Sequence, residues 1–210
     1  MGRSAASDAT DTVRAVPEPA ADRPLRKDAQ RNREILLAAA VEAYAERGVD
    51  ASLEDIARRA GVGIGTLYRH FPTRDALNEA VYRREVETLC DGADRLLAEH
   101  PPVDALALWM GSFATYVARK RGMAVALKSA LGPDNELFAH SYRRIHEALN
   151  TLVSAAVASG GIRADADSED LLRAMSGICM ATDTAGSGDR TSRLVALLID
   201  GLRYGAPASS

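Results

Sequence analysis

The sequence predicts an all-α protein, and three observations carry that reading. Apolar residues recur three or four apart through nearly the whole chain after about residue 25, with no strand-like alternation and no internal repeat. The periodic runs are separated by Gly, Pro and Ser punctuation, at Gly48, Gly61, Pro101-Pro102, Gly132-Pro133, Ser159-Gly160-Gly161 and Gly186-Ser187-Gly188. Of 210 residues, 47% are hydrophobic, enough for a core of one large or two small domains. About nine helices are expected.

Residues 1–24 hold few large apolar side chains, no period and three prolines, Pro17, Pro19 and Pro24. That composition predicts a disordered N-terminal arm. The first helix is expected over about Asp28 to Arg47, with Ile35, Leu36, Ala39, Ala40, Ala43 and Tyr44 on its apolar face and Gly48 ending it. The stretch Ser52 to Leu77 then reads as two short helices joined by a tight turn, with a third behind them. Leu53, Ile56, Ala57 and Ala60 fall at helical spacing. Ser52 suits an N-cap, and Glu54 and Asp55 complement the helix dipole. Gly61 can take the left-handed conformation that stops the helix, and the small Ala57 lets a second helix, anchored by Leu67, cross closely.

The run AGVGIGTLYRHFPTRDAL resembles the DNA-binding signature of the tetracycline-repressor (TetR) family of transcriptional regulators. The likeness rests on Thr66-Leu67-Tyr68 and Phe71-Pro72-Thr73-Arg74, and extends from about Arg31 to Val81. It implies a helix-turn-helix DNA-binding domain over 25–72 and a helical effector-binding and dimerisation domain over 73–205, with 206–210 as a disordered tail. The resemblance puts Gly63, Ile64 and Gly65 at the leading end of a recognition helix in the major groove, Thr66, Tyr68 and His70 against phosphates, and Arg69 within reach of either. Many relatives carry a serine and a polar or basic residue at the places of Gly63 and Ile64. Base reading here therefore leans on apolar contact by Ile64, on close backbone approach, on Arg69 and Tyr68, and on DNA shape. Tyr68 could instead be a core aromatic. Ser52 and Arg74, which open the second and fourth helices, join the expected DNA-contacting set. So do Arg31, near the start of the first helix, and Arg26 and Lys27, beside the arm, where a minor-groove role or a solvated basic face is open.

A long helix over about 73–100 links head to body and stops at Pro101-Pro102. Body helices are expected at about 103–120, 123–131, 134–159, 167–184 and 190–204. Trp109, Met110, Phe113 and Tyr116 crowd one segment, and Met123, Leu127, Phe138, Tyr142 and Met175 offer further greasy surface. In a body resembling this family they are candidate walls of an effector cavity, the effector being apolar or aromatic; ordinary core packing is the alternative. Leu171, Ile178, Leu194, Leu198 and Leu202 lie on two terminal helices with more apolar surface than a small body needs. The resemblance makes them a dimer interface, which would set two recognition helices one DNA turn apart on a palindrome.

Charge is uneven: Arg23 to Glu85 carries 12 Lys and Arg against 10 Asp and Glu, and Val86 to the C-terminus 12 against 15. That suits a DNA-reading head on a body that does not touch DNA. Cys90 and Cys179 match no metal spacing and are expected to be buried thiols. No phosphate loop, nucleophile motif or metal cluster is visible, and His100, His140 and His146 stand isolated, so neither enzyme chemistry nor a cofactor is expected. With no signal-like or membrane-spanning run, the expected location is the cytoplasm. The resemblance implies a repressor that binds a palindromic operator as a homodimer and is released by a small molecule. The alternative is a ligand-independent activator or architectural DNA binder.

Overall fold

A computed structural model describes residues 22–132, 134–181 and 188–204, with side chains described from residue 28 onward except at 121 and 204. These residues form eight helices and no strand: α1 (Asp22–Arg47), α2 (Leu53–Arg59), α3 (Ile64–His70), α4 (Arg74–Glu99), α5 (Pro102–Leu131), α6 (Glu136–Ala158), α7 (Ser168–Ala181) and α8 (Gly188–Tyr204). The first three make a small head. The other five make the body, with α4 and α5 as its central pair.

In the head, α1 starts at Asp22, earlier than its sequence pattern suggests. Pro24 sits in the first turn, where its missing N–H has no helical partner to lose. Residues 22–24 are thus helical rather than the end of an arm; residues 1–21 and the expected tail lie outside the described residues. Phase also differs by a little: Ile35 is outward and Leu37 is buried beside Leu36. The apolar spacing of α2 works as read, because Ile56 and Ala57 bury against α1 while Ser52 accepts a hydrogen bond from the Asp55 amide at 3.3 Å. At the other end, Gly61 takes φ +68°. Its N–H bonds the Arg58 carbonyl and the Val62 N–H bonds that of Ala57, which satisfies the last carbonyls and turns the chain into α3.

One buried and one half-buried polar contact join head to body. The Tyr44 hydroxyl of α1 donates to Asn78 Oδ1 of α4 at 2.8 Å, where Asn78 is 2% exposed. Burial pushes the Tyr44 hydroxyl up to about 12, so it stays a donor. Arg74 Nη1 donates to the carbonyls of Val49 and Ala51, both at 2.9 Å, which ties the α1–α2 turn to the start of α4. Tyr44→Phe leaves a buried acceptor unpaired and is expected to cost about 2 kcal/mol, read as a lower midpoint in urea unfolding.

In the body, α5 runs unbroken through Arg121-Gly122, where the sequence suggests two helices. Tyr116, Met123 and Leu127 continue one buried stripe across that point, and each buried apolar side chain is worth about 2 kcal/mol. That outweighs the roughly 1 kcal/mol a helical glycine costs. Trp109, earlier on the same helix, is locked by its indole N–H, which donates to the Leu89 carbonyl of α4 at 2.9 Å. Cys90 and Cys179 are both buried, and burial pushes the Cys90 thiol up to about 11. Among the described residues no helix is long and apolar enough to cross a membrane.

Candidate nucleic-acid interface and body cleft

The recognition segment is held at its middle and its C-terminal end and open along its face. Leu67, wholly buried, and Phe71, 2% exposed, anchor α3 in the head core. With the anchors inward, the helical period turns Gly63, Ile64, Gly65, Tyr68 and Arg69 to solvent, with Thr66 and His70 half-buried at its edges. Tyr68 is 46% exposed, which removes the reading of it as a core aromatic. Gly63 caps α3 with no side chain and ordinary negative φ, and a Cβ added at Gly63 or Gly65 would meet nothing. The fold has no need of glycine at either place.

Arg31 is exposed on α1, whereas the side chains of Arg26 and Lys27 lie outside the described ones. Ser52 is engaged as the α2 cap: its hydroxyl also donates to Glu54 at 2.7 Å. Arg74 spends its Nη1 on two backbone carbonyls, which leaves Nε and Nη2 as its donors for the expected phosphate contact. Arg33 lies over the Phe71 ring, 4.9 Å from its centroid.

Sequence reading missed the electrostatic centre of the head, Asp55. This carboxylate is 7% exposed and takes hydrogen bonds from Arg58, from Arg59 Nε at 3.0 Å and from Arg47 at 3.2 Å; Arg59 also grips Glu46 at 2.6 and 2.9 Å. The bond from Arg58, foremost, holds Asp55 below its ordinary value of 3.8. A group ionised more easily when folded stabilises fully above its unfolded value, and that support fades as pH falls through the folded one. Asp55→Asn is therefore expected to lower the melting temperature near about pH 7 and to flatten its fall on acidification below about pH 4. Thermal melts at both pH values check this.

The body cavity residues divide. Trp109 and Tyr116 line an open cleft of about 270 Å³ between α4 and α5, with Glu85, Leu89, Arg95, Leu96 and Arg119. Met123 lines a small hollow of about 10 Å³ beside it, walled also by Val41 of α1, Tyr82 and Lys120. Met110, Phe113, Leu127 and Met175 line neither and are buried core, and Phe138 stacks edge-on against Tyr82. Tyr142, 47% exposed, donates to Glu169 and lies away from the cleft. The α4 wall went unread because it falls within the linking helix. Lys120, a lone charge four residues after Tyr116 on an apolar stripe, was the available signal.

Among the terminal helices, Leu171 is 5% exposed and turned into the protomer's own core, which removes it from the expected interface. Ile178, Leu194, Leu198 and Leu202, with Leu197 at 67% exposure, line an open apolar hollow of about 430 Å³ on α7 and α8.

His146 is not isolated: its Nε2 lies 3.1 Å from Ser168 Oγ and 3.7 Å from Glu169. This is no catalytic relay, since serine and carboxylate address the same ring nitrogen and Ser168 also donates to Asn150. Among the described residues no group of three His, Cys, Asp or Glu could hold a metal ion.

Residues 36–81 match the family model of bacterial regulatory proteins of the tetR family, and residues 101–204 match that of the C-terminal domain of SbtR-like transcriptional regulators. A TetR transcriptional regulator from Streptomyces coelicolor, SCO0520, is 47% identical, with 81% of this chain and 98% of that one aligned at TM-score 0.74. The chain belongs to the TetR family of transcriptional regulators. A TetR regulator from Mycobacterium vanbaalenii is 34% identical over 86% of this chain and 99% of its own, at TM-score 0.70. An HTH-type regulator of Staphylococcus aureus, SAR0097, is 38% identical over 78 residues; the match spans 36% of this chain and 40% of that relative's length. A TetR-family chain of this kind is a DNA-binding regulator and not an enzyme.

Proposed function

We propose that this TetR-family regulator is a repressor that binds a palindromic operator as a homodimer and releases it when a small molecule enters the body. The observation that carries this reading is the pairing of two open faces. One is the α3 face of Gly63, Ile64, Gly65, Tyr68 and Arg69, none of which the head core uses. The other is the apolar face of α7 and α8 around Leu197, which suits a second copy related by a two-fold axis. Two heads so related would meet successive major grooves about 34 Å apart.

Release requires a ligand that binds better when the heads are wrongly spaced. Helix α4 supplies the lever: its first turns hold the head through Asn78 and Arg74, and its later turns wall the cleft through Glu85, Leu89 and Leu96. In the same frame, Thr66 and His70 contact phosphates beside Tyr68, and Arg31 adds a backbone contact. The setting for such a protein is the cytoplasm.

The test is selection of bound sequences from random double-stranded DNA, in parallel with Tyr68→Ala. An inverted repeat enriched by the natural chain and lost by the variant supports the reading. Enrichment of long non-palindromic DNA would favour a ligand-independent architectural binder instead, and no enrichment by folded protein would overturn both.

A further inference from the structure

We propose that the α4–α5 cleft binds an organic monocarboxylate carried on a flat apolar body of about two fused rings. The inference rests on the regulator reading above and names the chemistry of its effector. Three observations lead to it.

First, Tyr116 is 4% exposed and lines the cleft; its buried hydroxyl has no partner at full hydrogen-bond geometry, the Tyr82 phenol being the polar group beside it. It is the one such buried side-chain atom among the described residues. A buried unpaired hydroxyl costs about 1–3 kcal/mol, which a bound acceptor would recover. Burial foremost, and the nearby Tyr82 phenol next, push the Tyr116 ionisation up, so it remains a donor for an anion.

Second, Lys120 stands one turn further along α5 with its Nζ 4.6 Å from the centre of the Tyr116 ring and 5.9 Å from that of Tyr82. Among the described residues it makes no hydrogen bond or ion pair, and the groups that act on its charge include no carboxylate. Burial lowers it to about 8, the mark of a cation without its counter-charge. Arg119 and Glu85 line both the cleft and the Lys120 hollow, so the two spaces share a wall. Their own pair is loose, at 3.8 Å, and an incoming carboxylate could take Arg119 from Glu85. Arg95 and Arg119 against Glu85 leave the cleft positive before Lys120 is added.

Third, the size and surface fit a flat body. An apolar cavity of about 150 Å³ holds one benzene ring, and this cleft has about 270 Å³. Leu89, Leu96 and the Trp109 ring supply apolar wall, and the indole is fixed in place by its bond to Leu89.

The probes are 2-naphthoate, 2-naphthamide and 2-naphthylmethylammonium, titrated into the full chain by calorimetry. The expected result is binding of naphthoate about tenfold or more tighter than the amide, with the ammonium weaker still. Tyr116→Phe and Lys120→Met should each weaken naphthoate about tenfold and bring its affinity toward that of the amide. Arg119→Gln, at an exposed side chain, tests the same charge should either core variant fail to fold, as judged by circular dichroism. Equal or tighter binding of the amide or the ammonium, unchanged naphthoate affinity in the folded variants, or no binding of any probe would overturn the proposal. Operator selection by ligand-free protein is scored separately. Operator binding without naphthoate binding sinks this inference alone, and naphthoate discrimination without operator binding sinks the regulator reading alone.

Discussion

Leu197→Glu is expected to give a folded monomer that binds operator DNA a hundredfold or more weakly than the natural chain. Leu197 is 67% exposed in the single chain, so a glutamate there keeps its hydration in the monomer and the body core is untouched. Across a two-fold axis the same change would bury a charge on each side of a hollow walled by Ile178, Leu194, Leu198 and Leu202. A dimer binds its second half-site at high effective concentration, and losing that linkage costs about 10²–10⁴ in affinity. Sedimentation shows the state of assembly, and a gel-shift titration with the selected operator shows the affinity. A variant that stays dimeric, or a monomer that binds DNA as tightly as before, would move the interface off this face.

Gly65→Ala should move stability and DNA binding in opposite directions. Gly65 lies inside α3 with no positive φ, and an added Cβ would meet no atom of the protein. On folding grounds alanine is better, by about 0.5–1 kcal/mol in a helix interior. In the proposed complex the same methyl group would face the groove beside Ile64 and hold the backbone away from base edges; losing one base contact costs about 1–3 kcal/mol, or about five- to 150-fold in affinity. Thermal melting and operator titration of one preparation give both numbers. A higher melting temperature with unchanged affinity would show that DNA does not approach this backbone.

The head was legible in the sequence because its determinants are local. Ser52 caps α2 within its first turn, Gly61 reverses the chain through bonds to Ala57 and Arg58, and Leu67 fixes which side of α3 faces outward. Such contacts span a few residues, and spacing alone encodes them. Arg74 was harder: a basic residue opening a helix suggests a phosphate, and only the folded turn brings the carbonyls of Val49 and Ala51, more than twenty residues earlier, within 2.9 Å. Asp55 shows the same limit. Its carboxylate suits the helix dipole in sequence, yet its role as the meeting point of Arg47, Arg58 and Arg59 needs α1 laid across α2.

By itself, then, the sequence determined an all-α chain, a helix-turn-helix head with its outward residues, and an apolar pair of terminal helices, because helical period and glycine punctuation act over one or two turns. Tertiary structure alone decided that α5 passes through Gly122, that Leu171 turns inward while Leu197 turns out, and that the cleft lies between α4 and α5 with Tyr116 on its wall and Lys120 behind it. The reason is that burial is a property of facing surfaces: a stripe of apolar residues states that something is covered, and only the packed helices state what covers it.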